Sequence, residues 1–216
     1  ELPDDAEAAL DHLEESDGGD GLPVVPPTDD RVEQMLDGAS LDPDDELMAV
    51  PTSGQPLTGE RLAECAVMAG CRPAYFPVVV AAFEGFARME NLGAALATTS
   101  GFAAAAVVNG PIRDDLDFNS GTGLFGPGYR ANATVGRAIN LTFMVVGGTR
   151  PGSGTMSTHT HPGRYTYCFA ENEAASAWEP LHVAYGGLDA GDSAVTAMAL
   201  QAPKLVSEGN KTAVKD

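Results

Sequence analysis

From Phe118 to Ala170 the chain runs for 53 residues without an aspartate or a glutamate, although it carries 31 of them in 216 positions. At the acid frequency of residues 61–216, about four would be expected in such a window. A stretch of this kind reads first as core and glycine loops. Yet Arg130, Arg137, Arg150 and Arg164 all lie within it. Guanidinium groups without local carboxylates need partners from elsewhere in the fold or from a ligand. The acids gather at the other end: residues 1–60 hold 18 of the 31, with Arg31 the one base.

The formal net charge is −19, which repels nucleic-acid phosphates and anionic lipid head groups, so neither is expected as a partner. No window of the sequence has the run of apolar residues that crosses a membrane. The N-terminus is acidic where a signal peptide would be basic and then apolar, so the cytoplasm is the expected compartment. Cys65, Cys71 and Cys168 are too few for a disulfide framework and read as thiols.

The sequence divides into an acidic, proline-rich N-terminal arm (1–57), a core domain (58–203) and a C-terminal tail or linker (204–216) that holds all three lysines. The arm reads as solvated, with a short helix over Ala6–Glu15, an extended "GLPVVPPT" and a helix over Asp29–Leu36 capped by Thr28. In the core, Thr58 caps a helix ending at Gly70, and Pro73 or Pro77 opens another to about Met89. "AAAAVVNG" (103–110), "RYTYCFA" (164–170) and "SAVTAMAL" (193–200) read as strands. "ANATVGRAINLTFMVV" reads as a helix. Helices and strands interleave, so the expected class is α/β: one mixed sheet with flanking helices.

Three features carry chemistry. "GTGLFG" (121–126) has the G-x-G-x-x-G spacing, but a polar loop precedes it and no acid follows at the distance a dinucleotide site needs, so no cofactor is expected. Its looser physical content is an anion site: amides around Gly126 and Gly128, the next helix start, and Arg130, Thr134 and Arg137 on one helix face, with Asn109 and Asn132 as further hydrogen-bonding groups. The second feature is Cys71, which follows Gly70 and precedes Arg72 and Pro73. There a helix dipole and a guanidinium would favour the thiolate, with Cys65 buried and Cys168 intermediate. The third is "STHTHPGRYTYCFAENE" (157–173). His159 and His161 could share a face with Cys168, Glu171 or His182, but a recognised zinc spacing is missing and no metal is expected. Cys168 and Glu171, at a strand end, suit a pocket lining, with Glu171 a general base.

The segments "GDGLPVVPPT", "VMAGCRPAYFPVVVAA", "VVNGPI", "GPGYRANATVGRA", "HPGRYTYCFAENE" and "WEPLHV" together resemble an uncharacterised bacterial family known by a UGSC motif, selenocysteine or cysteine followed by Gly-Ser-Cys. The resemblance covers roughly residues 20–200. It implies an enzyme of thiol or selenol chemistry, often longer than this chain. The C-G-S-C itself is absent here. The thiol role then lies on a further C-terminal part or a second chain, falls to Cys71 or Cys168, or does not exist.

The expectation is therefore an enzyme, or the substrate-binding half of one, acting on a small anionic molecule. Arg130 and Arg137 would clamp the anion, and Cys71, Cys168 and Glu171 would be the reactive groups. The alternative is a non-catalytic subunit or scaffold of a hetero-complex, and in either case an oligomer.

Overall fold

The computed structural model describes residues 5–15 and 18–204. Among them the fold is mixed α/β, with a three-stranded sheet, a two-stranded hairpin and eight α-helices. In order these are α1 (Ala6–Glu15), α2 (Asp29–Ala39), β1 (Glu46–Ala49), β2 (Pro56–Thr58), α3 (Gly59–Met68), α4 (Phe76–Phe86), α5 (Leu92–Leu96), β3 (Ala103–Asn109), α6 (Ile112–Asp115), α7 (Arg130–Val145), β4 (Cys168–Ala170), α8 (Leu181–Ala184) and β5 (Ala194–Leu200). The hairpin β1–β2 is separate from the main sheet, so the expected single sheet becomes two. No helix among the described residues is long and apolar enough to cross a membrane.

β3 is the centre of the main sheet, parallel to β4 and antiparallel to β5. All seven of its residues are buried, as an uninterrupted alanine and valine run requires when both faces are covered. Ala104, Ala106 and Val108 face the main core with Cys168 and Ala170. There Phe83, Phe86 and Phe143 of α4 and α7 meet with ring centroids 5.1 to 5.8 Å apart. On the other face Ala103, Ala105 and Tyr167 form a smaller cluster with Phe169, Met198 and Leu200. Phe125, from the glycine loop, lies over it at 5.5 Å from Tyr167 and 5.1 Å from Phe169.

Most of the predicted elements form. The segment 164–170 is shorter as a strand than its alternation implies, because Pro162–Arg164 is a 3-10 turn and β4 begins only at Cys168. Thr58 caps α3 through its side chain at 3.4 Å from the Arg61 amide, whereas Thr28 precedes α2 without a side-chain cap bond. The arm is less solvated than its acids imply. Val24, Val32, Met35, Leu36, Met48 and Val50 are buried in the main core, and α2 packs on α3. The acids of α2 are exposed, as on any amphipathic surface helix. Of the tail, only Lys204 lies among the described residues.

α7 approaches β4 so closely that Gly136 is obligatory. A Cβ there would lie 2.4 Å from Thr166 Oγ1, 2.5 Å from the Tyr167 nitrogen and 2.8 Å from the Cys168 nitrogen. Two of those atoms are backbone and cannot turn away. We predict that Gly136→Ala lowers stability by about 3 kcal/mol despite the higher helix propensity of alanine, measured by urea unfolding. A neutral or stabilising result would mean that α7 and β4 are not in contact.

Candidate functional site

Arg130, Thr134 and Arg137 do lie along one face of α7, but their donors are already engaged. Arg130 donates twice to the Gly70 carbonyl, at 3.1 and 2.8 Å. The Thr134 hydroxyl donates to the Arg130 carbonyl one turn back, at 2.8 Å. Arg137 grips Asp20 through two bonds of 2.8 Å and adds the Pro23 and Leu22 carbonyls at 3.0 and 3.2 Å. Asn132 binds both backbone groups of Asn119, at 2.8 and 3.0 Å. The Gly126 amide donates to the Gly123 carbonyl, and Gly128, with φ of 120°, serves the turn into α7. The anion clamp expected at this helix start is thus a clamp on the chain's own arm and loops. Asp20 supplies from the arm the carboxylate that the acid-free window lacks.

The thiols depart further from expectation. All three are buried. Burial pushes the Cys71 thiol up to about 12, against a hydrogen bond with Thr134 and the nearby charges of Arg130 and Arg137. Burial also pushes Cys65 up to about 11, and Cys168 higher than either, with Cys71 as its neighbour. The predicted thiolate at Cys71 fails for a structural reason. Pro73 opens only a three-residue 3-10 turn before α4, and Arg72 is exposed, so neither a full helix dipole nor that guanidinium offsets desolvation.

Two polar places remain. The first is a cavity of about 340 Å³ between the second half of α7, the 149–165 segment and the arm at Gly19 and Asp20. Leu96, Leu141, Phe143 and Met144 give it apolar walls, and Arg150 and Arg164 enter it. Arg164 donates to the Leu96 carbonyl at 3.0 Å and to Thr155 Oγ1 at 3.3 Å, but its Nε is buried without a partner. Burial lowers its pKa. Arg150 has one long bond, 3.4 Å, to the Gly19 carbonyl. Thr160, also in the lining, has a buried hydroxyl without a partner and a φ of 44°. A β-branched residue is rarely found in that left-handed region. Asp20 is the one acid of the lining, and Arg137 holds it.

The second place is the carboxyl end of β3 and β4. Asn109 Nδ2 donates to Glu171 Oε2 at 2.6 Å and to Glu173 Oε1 at 2.9 Å. Glu173 also accepts from the Gly110 amide at 2.8 Å and pairs with Arg113 at 3.2 Å. Burial would raise its pKa, but the Gly110 and Asn109 hydrogen bonds and the charges of Arg113 and His182 together hold it below the usual carboxylate range. Glu171 Oε2 accepts from the Leu181 amide at 2.8 Å, which brings in the buried His182. Asn109 and Glu171, both expected at the site, therefore meet, apart from Cys71 and the α7 arginines. Sequence reading pairs Glu173 with Glu171 across Asn172 but misses Arg113, whose approach depends on the turn after β3.

His159 and His161 do not join either place. His161 Nδ1 accepts from the Gly163 amide at 3.1 Å and its ring packs on Tyr167, while His159 is exposed. Among the described residues no three of His, Cys, Asp and Glu come together as a metal-holding group. The chain matches no protein-family model, no curated protein and no solved structure.

The raised thiols fix a pH dependence. An unfolded thiol titrates near 9.0 and the folded ones at about 11 to 12 or above. The unfolded chain therefore loses these protons first, and their contribution to stability is complete below pH 9 and lost as pH rises through the folded values. We predict that the urea midpoint falls steeply between about pH 9 and 11, that Cys71→Ala flattens this slope, and that iodoacetamide at neutral pH leaves all three thiols of the native protein unmodified. Rapid labelling of Cys71 at neutral pH would restore the activated-thiol reading.

Proposed function

We propose that this protein binds a small organic carboxylate in the cavity lined by Arg150 and Arg164. The observation that carries the reading is Arg164: a half-buried guanidinium whose Nε has no acceptor and which appears in no ion pair among the described residues. An unpaired buried charge is costly, and an anion beside it removes the cost. Arg150 adds a second positive charge, Thr160 a hydroxyl without a partner, and the apolar walls suit a hydrocarbon body rather than a bare inorganic anion. The volume lies in the range of small-molecule sites.

The lining holds no thiol and no imidazole, and its one carboxylate is engaged. The reading is therefore a binding function, the substrate-holding part of an enzyme whose reactive groups lie outside this cavity. The family resemblance would add thiol or selenol chemistry, but the buried, protonated cysteines give that no support. A second reading, a subunit of a larger assembly, is favoured by β5. Its seven residues, AVTAMAL, carry no charge and form an edge of the sheet, the kind of edge that pairs with another chain. Native mass spectrometry separates the two: a stoichiometric second chain supports the subunit, a retained small acid the binding protein.

For the cavity we predict that sodium benzoate raises Tm by about 3 °C over sodium chloride at equal ionic strength, once in about tenfold excess over Kd. Arg164→Gln and Thr160→Val should remove most of that rise. Thr160→Gly should stabilise the free protein by about 1 kcal/mol, by relieving the left-handed backbone, and still lose the benzoate effect. An unchanged benzoate response in Arg164→Gln would place the ligand elsewhere.

A further inference from the structure

Asn140 ties α7 to the sheet and also lines the cavity that Arg150 and Arg164 enter. The residue is 7% exposed, and its amide orientation is fixed. Its Nδ2 lies 3.0 Å from the Ala104 carbonyl and 3.1 Å from the Gly136 carbonyl one turn back. Only an NH2 group can face two carbonyl oxygens, and both of its hydrogens are then spent. Oδ1 is left as an acceptor with no partner among the described residues. Unlike Thr160 Oγ1 and Arg164 Nε it is not sealed from solvent, so it opens on the cavity that its residue lines.

The neighbouring polar groups of the lining are engaged within the chain, and they decide what this acceptor can take. The hydroxyls of Thr149 and Ser157 donate to the Phe143 and Ser100 carbonyls, at 3.0 and 2.6 Å. Asp20 uses both carboxylate oxygens on Arg137, and its charge is balanced there. Arg150 and Arg164 have no carboxylate partner among the described residues, so the cavity keeps their positive charge. An ammonium group would carry its own charge into that excess and be repelled. The donor that meets Asn140 Oδ1 is therefore neutral, and a hydroxyl supplies one O–H without adding charge or bulk.

We propose that the ligand of this cavity is a hydroxy acid and that Asn140 is the residue that selects its hydroxyl. The inference rests on the carboxylate reading of the cavity and goes one step past it. Arg150 and Arg164 take the acid, the apolar walls take the carbon skeleton, and Asn140 Oδ1 accepts from the hydroxyl. A fixed acceptor discriminates against a ligand that lacks the donor, because the acceptor then gives up its water without a replacement. The Ala104 and Gly136 bonds stop the amide from turning over. A ligand that offers only an ether oxygen at this point sets lone pair against lone pair.

The test uses the full chain and the three hydroxybenzoate isomers, beside benzoate and the matching methoxybenzoates, each titrated by calorimetry at equal ionic strength. The isomers vary the spacing of acid and hydroxyl across the ring. At least one hydroxybenzoate should bind about tenfold more tightly than benzoate, and its methoxy counterpart no more tightly than benzoate. Asn140→Ala should keep benzoate binding and lose the hydroxyl preference. Because that variant also gives up the Ala104 and Gly136 bonds and can fail to fold, the side-chain carbonyl carbon of Asn140 in the wild type gives a second reading. Its resonance should move with the preferred hydroxybenzoate and stay in place with benzoate. Benzoate binding with no hydroxybenzoate preferred, or an Asn140 resonance that none of them moves, would overturn the hydroxyl assignment and leave the carboxylate reading standing. Absence of binding by benzoate and by every isomer would overturn both.

Discussion

The contact on which the other features depend is the approach of α7 to β4 across Gly136. With no side chain at that position, the helix backbone lies against the amides of Tyr167 and Cys168. One turn further on, Asn140 reaches the Ala104 carbonyl at 3.0 Å. The helix is thereby fixed to two adjacent strands, and its flanks are committed. Its first half turns Arg130 and Arg137 outward to Gly70 and Asp20, sealing Cys71 and Cys168 beneath. Its second half leaves space beside Asn140, Leu141 and Met144, which is the cavity.

The same constraint explains why thiol chemistry was a reasonable sequence reading and a poor structural one. Cys71 has the electropositive neighbours that favour a thiolate, and they do act on it. But those arginines reach it by closing the gap between the arm, α3 and α7, and the closure that brings the charge also removes the water. Removing water from a thiolate outweighs partial charges that are themselves paired with carbonyls and Asp20.

Helices were legible because caps, prolines and apolar spacing act locally, and β3 was legible because its six residues before Asn109, all alanine or valine, have little choice but burial. The hairpin β1–β2 was hidden by prolines and acids at its ends, and the depth of the arm by the same acids, which say where water is and not what the opposite face touches. The acid-free window singled out four arginines, of which Arg130 and Arg137 find their partners within the chain, at Gly70 and Asp20. Arg130 and Arg137 are seven apart on a helix, a spacing visible in sequence. Arg150 and Arg164 come together only through a folded loop and a strained Thr160, which no local pattern announces. Asn109 and Glu171 meet for a comparable reason: parallel pairing of β3 with β4 brings residues 62 positions apart to 2.6 Å.

The two polar places differ in sign, and the fold keeps them apart. Near the start of β3, Arg150 and Arg164 leave an excess of positive charge against apolar walls. Past its end, Glu171 and Glu173 outnumber Arg113. A sheet of three strands with an alanine-rich centre lies between them. β3 is the element that joins the two neighbourhoods, through the Asn140 bond to the Ala104 carbonyl near its start and through Asn109 at its end.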